Sequence, residues 1–159
     1  MNCRIKKENI KLFASDFDGI FTDGKLTVYS DGTTSKKIDY KDIMAIANLL
    51  KANIHVAVIS GETSKAIEVL KQKFPSIDIF QNIRNKLEVL QALVDKYNLT
   101  KENVVYTGDD INDIKCLEYA SLAFTVENAH KNVKKMKNIN IIRKNGGEGA
   151  VREIADLLI

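Results

Sequence analysis

One stretch of the chain, Phe13–Gly24, constrains the fold more than any other. It reads F-A-S-D-F-D-G-I-F-T-D-G, and the apolar run over Ile10–Ser15 ends in two carboxylates, Asp16 and Asp18. A short apolar run that ends at a turn is typical of a buried parallel strand, and open α/β sheets bind ligands where such strands end. Two carboxylates this close repel each other unless a cation balances them, and Mg²⁺ suits them because it prefers oxygen ligands. Taken alone, the pattern is equally typical of an ordinary acidic turn.

The rest of the chain alternates predicted strands with predicted helices. Such an alternation indicates a Rossmann-like, doubly wound parallel sheet with right-handed crossovers. Asp42 is predicted to cap the first helix, whose inward face is Ile43, Ile46, Ala47 and Leu50. The predicted strands are 10–15, 55–59, 77–80, 103–107, 122–126 and 139–142, and the predicted helices are 42–51, 64–74, 84–97, 112–119 and 150–158.

A β-hairpin is predicted over 25–38, directly after the first strand. Asp31-Gly32 is a strong hairpin-turn dipeptide, and strand-forming Thr, Val and Tyr residues flank it. An isolated hairpin is only marginally stable in water, so this one is expected to pack against another surface.

Three of the predicted strands end in polar or acidic residues. These ends are Asp16 with Asp18, Ser60-Gly61, and Gly108-Asp109-Asp110. Because parallel strands have their carboxyl ends at one edge of the sheet, we expect the three ends to converge into a single site.

The composition is that of an ordinary globular protein. The 159 residues are 45% hydrophobic and 28% charged, with a net charge of +3, and we expect one domain over 1–159. The basic cluster at Lys131–Lys137 is interpreted as a solvated helix face, so no nucleic-acid partner is expected. No apolar run has membrane-spanning length. Cys3 and Cys116 show no metal or redox spacing, and we expect a cytoplasmic protein with reduced thiols.

Four motifs in this order resemble those of the haloacid dehalogenase-like phosphatases. The first is D-x-D-G-[IV]-x-T-D-G at 16–24; the second is a strand that ends at Ser60; the third is a lysine, best matched by Lys86; and the fourth is G-D-D-x-x-D at 108–113. The resemblance implies the fold of that family, without a large cap domain, and an aspartyl-phosphate mechanism.

The resemblance also implies roles for individual residues. Asp16 would be the nucleophile and Asp18 the general acid and base, with Ser60 and Lys86 contacting the phosphoryl group. Mg²⁺ would be held by Asp16, the backbone carbonyl of Asp18, and Asp109. Asp110 and Asp113 would orient those ligands, and the expected substrate contacts are Thr22, Gly61 and Glu62.

Within that superfamily the chain is similar to the capless 3-deoxy-octulosonate 8-phosphate phosphatases. The T-D-G ending of the first motif, the hairpin, and the stretch G-G-E-G-A-V-R-E at 146–153 carry this resemblance. It implies a 3-deoxy-2-ulosonic acid phosphate as substrate, in lipopolysaccharide or sialic acid biosynthesis. It also implies a homotetramer whose hairpins pack together.

Three departures from this group leave the length of the sugar open. Ser60-Gly61-Glu62 replaces S/T-G-R, Asp42-Ile43 replaces a D-G or D-S pair, and the chain ends at Ile159 without the longer tail of some relatives. We expect Glu62 to favour nine-carbon 9-phosphates over the octulosonate 8-phosphate. Two other functions are compatible with the sequence: a non-catalytic oligomerisation module of sugar-acid activation, and a phosphatase of another small phosphate ester such as a nucleotide.

Overall fold

The computed structural model of the protein describes residues 7–159, so the prediction for Cys3 falls outside the described part of the chain. Its main feature is a six-stranded parallel sheet with the order β5-β4-β1-β6-β7-β8. The predicted doubly wound α/β fold is confirmed. The strands of this sheet are β1 (Leu12–Ser15), β4 (His55–Ile59), β5 (Asp78–Phe80), β6 (Val104–Thr107), β7 (Leu122–Val126) and β8 (Ile139–Ile142).

Six helices cover the two faces of the sheet. Those of one face are α1 (Tyr40–Lys51), α2 (Lys65–Lys73) and α6 (Ala150–Leu158), and those of the other are α3 (Lys86–Lys96), α4 (Ile114–Tyr119) and α5 (Lys131–Lys134). Short 3₁₀ turns lie at Lys7–Asn9, Lys101–Asn103 and Ile111–Asp113. Within residues 7–159, every helix is too short or too polar to cross a membrane.

Strand β1 is central and buried on both faces. Phe13 packs with the α1, α2 and α6 side of the core, whereas Leu12 and Ala14 pack with the α3 and α4 side. This alternation follows from the two-residue period of a strand, and it explains why the sequence of β1 is apolar throughout. The residues that follow β1 therefore emerge in the middle of the sheet edge.

The predicted hairpin is present and forms a separate two-stranded sheet. Its strands are β2 (Thr27–Val28) and β3 (Thr34–Ser35), which pair antiparallel. The turn is closed by Asp31, whose carboxylate accepts hydrogen bonds from the backbone N–H and the hydroxyl of Thr33 at 2.9 and 2.7 Å. The hairpin is the insertion between β1 and α1, where the predicted fold has no large cap domain.

The predicted N-cap of the first helix, Asp42, was wrong by three residues. Helix α1 begins at Tyr40, and its N-cap is Asp39, which accepts a hydrogen bond from the backbone of Lys41. Asp42 lies inside the first turn and is fully buried, because its Oδ1 accepts the backbone N–H of Arg152 at 2.9 Å. The fully buried face is therefore Asp42, Ala45, Ile46 and Leu49 rather than the predicted set, of which only Ile46 is fully buried.

Asp42 supplies a cap that helix α6 lacks. The N-cap of α6 is Gly149, which has no side chain to accept the free N–H groups of the first turn. The preceding turn at Gly146 and Gly147 lies against the loop after β1, where Gly147 donates its N–H to the carbonyl of Ile20 at 2.9 Å. The first turn of α6 is thus connected both to α1 and to the loop that follows the central strand.

The two histidines and Cys116 have structural contacts, and the backbone N–H of His130 donates to the carbonyl of Asp109 in the fourth motif at 2.8 Å. Cys116 is buried in the core. His55 is exposed and stacks on the ring of Tyr97, with the ring centroids 3.7 Å apart. His130 caps helix α5 and accepts a hydrogen bond from the backbone of Asn132. Both histidines have structural contacts that need no catalytic role.

Candidate active site

The three polar strand ends meet at one edge of the sheet. Strand β1 pairs in parallel with β4 on one side and with β6 on the other, so their carboxyl ends are neighbours. The backbone N–H of Asp16 continues the pairing by donating to the carbonyl of Thr107 at 2.9 Å. Asp16 therefore lies between the end of β4, which leads to Ser60, and the end of β6, which leads to Asp109.

The centre of the site is a buried lysine between two carboxylates. Lys86 is the first residue of α3 and is only 2% exposed. Its Nζ lies 2.9 Å from Oδ1 of Asp16 and 2.8 Å from Oδ1 of Asp113. A buried ammonium is costly unless it is paired and hydrogen-bonded, and these two contacts satisfy that requirement. The lysine that matches the third motif is thus in direct contact with Asp16.

Asp113 organises the fourth motif from beneath. Its Oδ2 accepts the backbone N–H groups of Asp109 and Asp110 at 3.1 and 3.2 Å, while its Oδ1 accepts the hydroxyl of Tyr106 at 2.9 Å in addition to Lys86. Both oxygens of Asp113 are therefore engaged within the protein. The carboxylate of Asp110 is exposed and accepts the backbone N–H of Ile111.

Burial and mutual repulsion perturb the carboxyl groups of the site. Burial, followed by the charge of Asp113, raises the pKa of Asp16 well above its ordinary value. Burial and the charges of Asp113 and Asp110 raise the pKa of Asp109 to about 7. Burial lowers the pKa of Lys86, but Asp113 and Asp16 outweigh it and hold that pKa above its usual value. The site thus carries more negative charge than Lys86 alone balances.

The donor set fits a divalent cation. One carboxylate oxygen from each of Asp16, Asp109 and Asp113 lies within 4.8 Å of the others. Carboxylate oxygens are the ligands that Mg²⁺ prefers, and a cation would relieve the repulsion that raises the pKa values of Asp16 and Asp109. Since both oxygens of Asp113 already accept hydrogen bonds, Asp16 and Asp109 are the better candidates for direct ligands.

Asp18 and Thr22 lie in the loop after β1. The hydroxyl of Thr22 is buried and accepts the N–H groups of Gly19 and Gly24 at 3.2 and 3.1 Å, and it lies 3.4 Å from Oδ1 of Asp18. These contacts favour a structural role for Thr22, which holds the loop in shape, rather than the predicted contact with substrate. Gly19 has a φ of +83°, and a side chain there would collide with the carboxylate of Asp109, so only glycine fits between the two motifs.

The end of β4 brings a hydroxyl and a short loop to the same edge. Ser60 is buried, and its Oγ accepts the backbone N–H of Glu62 at 3.1 Å. The cap of helix α2 is Ser64, so Ser60 is not the helix cap. The side chain of Glu62 is exposed, and the amide of Asn112 from the fourth motif lies near Gly61.

Two contacts of the site were not predicted from the sequence. Tyr106 donates to Asp113, and a lone tyrosine in a buried strand is a usable signal because its hydroxyl needs a partner. Lys36, at the end of the hairpin, places its Nζ 2.7 and 2.8 Å from the two carboxylate oxygens of Asp18. No local sequence pattern predicts the contact between Lys36 and Asp18, because only the path of the hairpin brings these two residues together.

Comparison with known proteins gives one family. The family model described as "haloacid dehalogenase-like hydrolase" matches residues 25–154. A similar curated protein is the 3-deoxy-D-manno-octulosonate 8-phosphate phosphatase of Salmonella typhi, which is 34% identical over 97% of this chain and 81% of its own length.

Solved structures agree with the sequence comparison. The 3-deoxy-D-manno-octulosonate 8-phosphate phosphatase of Moraxella catarrhalis, solved in complex with magnesium, phosphate and KDO, superimposes with a TM-score of 0.90. It is 32% identical, and the match covers 96% of this chain and 87% of that one. The cobalt-bound deoxy-D-mannose-octulosonate 8-phosphate phosphatase of Haemophilus influenzae gives a TM-score of 0.88 at 30% identity, covering 96% and 88% of the two chains.

Proposed function

Because the chain belongs to the haloacid dehalogenase-like hydrolase family, we propose that it is a Mg²⁺-dependent phosphatase of a 3-deoxy-2-ulosonic acid phosphate. The observation that carries this proposal is the contact of Lys86 with Asp16 at the end of β1, beside Asp109 and Asp113. A phosphatase of this kind needs a nucleophile, positive charge for the phosphoryl oxygens, and a proton for the leaving alcohol. The site offers a group for each of these.

In the first step, a carboxylate oxygen of Asp16 attacks phosphorus, and the bond between phosphorus and the sugar oxygen breaks. Asp18 gives its proton to that departing oxygen, so the sugar leaves as an alcohol. In the second step, water attacks the aspartyl-phosphate and returns a proton to Asp18. The bond between phosphorus and Asp16 then breaks, which releases inorganic phosphate and restores both carboxyl groups.

The other residues of the site would neutralise charge on the phosphoryl group or orient the groups that hold it. The ammonium of Lys86 already lies on Asp16 and would balance the charge that the phosphoryl group brings. The hydroxyl of Ser60 would donate to a phosphoryl oxygen. Asp16 and Asp109 would hold Mg²⁺, which when bound neutralises further charge on the phosphoryl oxygens. Asp113 and Asp110 would keep this arrangement in place through the backbone of the fourth motif.

The relatives support the choice of substrate. The Salmonella protein is named for 3-deoxy-D-manno-octulosonate 8-phosphate, and the Moraxella structure holds KDO, phosphate and magnesium. Glu62, just after β4, is the residue that favours a nine-carbon substrate, whereas these relatives are named for an eight-carbon one. We therefore propose the class of eight- and nine-carbon ulosonate phosphates. The expected location remains the cytoplasm.

We also propose that the protein assembles as a homotetramer through its hairpin. Leu26, Val28 and Tyr29 of the hairpin are all more than half exposed, and Tyr40 follows them at the start of α1. The hairpin forms its own two-stranded sheet, so its outer backbone edges need a partner. A second copy of the chain would cover both the apolar side chains and the edges.

The rival function, a module used only for assembly, is less well supported. Such a module needs the hairpin but not a buried lysine between two carboxylates. Burying Lys86, Asp16 and Asp113 together is energetically costly, and chemistry at the site gives that cost a purpose.

A phosphate-release screen tests the proposed function. Eight- and nine-carbon ulosonate phosphates are compared with nucleotide monophosphates and hexose phosphates, with Mg²⁺ and with EDTA. We expect turnover of at least one ulosonate phosphate, at least a hundredfold above the other esters and abolished by EDTA. Equal turnover of nucleotides would favour the broader phosphatase, and no turnover of any ester would favour the assembly module.

A further inference from the structure

The hairpin contributes a lysine ammonium to the loop after β1, which carries Asp18. Lys36 follows strand β3, and its Nζ contacts both oxygens of the Asp18 carboxylate, at 2.7 and 2.8 Å. Its side chain is 13% exposed, and the ammonium lies 5.8 Å from the centre of the Phe17 ring. A carboxylate whose two oxygens contact one ammonium has little freedom to rotate.

Stability does not explain this contact. The side chains of Lys36 and Asp18 are 13% and 28% exposed, so solvent screens the pair, and ion pairs open to solvent typically contribute about 0.2–1 kcal/mol to folding. The only other polar contact on the Asp18 carboxylate, among the residues that the structure describes, is the hydroxyl of Thr22 at 3.4 Å. The position of the Asp18 side chain therefore depends on the hairpin.

Resting on the proposed function, we propose that Lys36 is a positioning residue for the departure of the leaving alcohol. When Asp18 gives its proton to the sugar oxygen, it becomes a carboxylate in the geometry that Lys36 contacts. By contacting both oxygens, Lys36 fixes the orientation of the Asp18 side chain, so the carboxyl group need not reorient during the step. Lys36 then keeps that carboxylate oriented toward the water of the second step.

The nature of the leaving group isolates this effect. An alkyl alcohol is a poor leaving group and needs the proton of Asp18, whereas p-nitrophenolate leaves readily without one. The ratio kcat/KM covers the steps up to the release of the alcohol, so hydrolysis of the aspartyl-phosphate does not enter it. Loss of Lys36 should thus slow alkyl phosphates and leave p-nitrophenyl phosphate nearly unchanged.

The experiment measures kcat/KM for 3-deoxy-D-manno-octulosonate 8-phosphate and for p-nitrophenyl phosphate in the full chain with Mg²⁺. In Lys36→Met we expect a fall of about tenfold or more for the sugar phosphate and of less than about threefold for the aryl phosphate, as a share of the 10²- to 10⁴-fold that a general acid supplies. Lys36→Arg should restore most of the loss, because a guanidinium can span both oxygens. Lys37→Met, which removes the neighbouring exposed lysine, is the matched control and should stay within about twofold of wild type.

A double variant adds an independent readout. If Lys36 acts through Asp18, then Lys36→Met should cost little further activity when Asp18 is already asparagine. An equal fall for both substrates in Lys36→Met, an unchanged rate for the sugar phosphate, or an additive loss in the double variant would overturn the proposal.

The two proposals can fail separately. A series of substituted phenyl phosphates of rising leaving-group pKa gives the same readout without any sugar, and Lys36→Met should steepen its slope. Failure of the wild type to hydrolyse the ulosonate phosphate would overturn the proposed substrate alone. A slope that Lys36→Met leaves unchanged would overturn the role of Lys36 alone.

Discussion

The hydroxyl of Tyr106 donates a hydrogen bond to Oδ1 of Asp113 at 2.9 Å, in a part of the core where both side chains are fully buried. Asp113 in turn accepts the ammonium of Lys86 and the backbone N–H of Asp109. The phenol of a core strand thus supports the two groups that flank the proposed nucleophile, Asp16. This relationship makes Tyr106 part of the site although it has no access to substrate.

The variant Tyr106→Phe should weaken both the fold and the reaction. Hydrogen bonds to charged groups contribute about 1.5–3 kcal/mol, which for a chain of this size lowers Tm by roughly 5 °C. We expect kcat/KM to fall by up to about tenfold, because Tyr106 acts through Asp113 on the proposed ligand Asp109, one contact further from the metal than groups whose loss costs about 10- to 100-fold. Tyr119→Phe, at a half-buried tyrosine on α4, is the control. Calorimetry and phosphate release would refute the role of Tyr106 if the two variants behaved alike.

The variant Asp16→Asn should abolish turnover, and Asp18→Asn should nearly do so, with little loss of stability. The Asp16 amide relieves repulsion from Asp113 in the metal-free protein, and Asp18→Asn loses only a partly exposed ion pair with Lys36. Beryllofluoride with Mg²⁺ should bind the wild type and protect it against thermal unfolding, because it mimics a phosphoryl group on Asp16. Asp95→Asn, an exposed acid on α3, is the control and should keep full activity. Substantial activity of Asp16→Asn would exclude Asp16 as the nucleophile.

Stability should fall as the pH rises through the titration of Asp42. Burial raises the pKa of Asp42 to about 6 in the folded protein, against 3.8 for an unperturbed carboxyl. The folded state therefore holds the proton more tightly, and this contribution is complete below pH 4 and lost as the pH passes 6. Its size is at most about 3 kcal/mol.

Urea unfolding of wild type and Asp42→Asn at several pH values from 4 to 7.5 measures this contribution. Subtracting the variant removes the titration of all other groups that the substitution leaves unchanged. We expect the wild type to lose stability relative to Asp42→Asn across this range. A difference that stays constant, or that grows in favour of the wild type, would contradict the assigned pKa.

The variant Glu62→Arg should shift specificity toward the octulosonate 8-phosphate. A carboxylate accepts hydrogen bonds from hydroxyl or amino groups of a sugar, whereas a guanidinium only donates. A matched polar contact that the bound substrate covers discriminates by roughly 1–3 kcal/mol, or about ten- to a hundredfold. The measurement is the ratio of kcat/KM for nine- and eight-carbon substrates in both proteins. If the wild type prefers the 8-phosphate, or if the ratio does not move, Glu62 is only an acid at the start of a helix.

The variant Val28→Asp should break the proposed tetramer. Val28 is 65% exposed on the hairpin, so a charge there costs the isolated chain little and an apolar interface much. Light scattering at micromolar concentration should give a tetramer mass for wild type and a smaller mass for the variant. Val69→Asp places the same charge at a similarly exposed valine of α2 and should leave the mass unchanged. A monomeric wild type would refute the proposal.

The sheet and the convergence of its strand ends were predictable because local patterns determine them. The apolar run before Asp16 and the turn residues after each strand identify the parallel strands, and parallel strands have their ligands at one edge. Lys86 was found only by resemblance to a family motif. Its position at the start of a helix says nothing about its burial.

The errors arose where tertiary contacts replace local ones. Asp42 was predicted as a helix cap because acids favour helix starts, and Asp39, three residues earlier, has the same preference. The sequence could not show that Asp42 is needed to cap α6, which lies more than a hundred residues away along the chain. Lys36 was missed for the same reason, since its contact with Asp18 depends on how the hairpin folds back.

The turn at Gly146 and Gly147 connects the C-terminal part of the chain to the loop after β1. A side chain at Gly146 would collide with the carbonyl of Gly19, so this late turn lies directly on the loop that carries Asp18. The strands β1, β4 and β6 all precede this turn in the sequence. The loop beside Asp18 is nevertheless supported by the hydrogen bond from Gly147 to the carbonyl of Ile20, so it depends on this later segment. A chain truncated before Gly146 should therefore lack this support for the loop that carries Asp18, although it retains every proposed catalytic side chain.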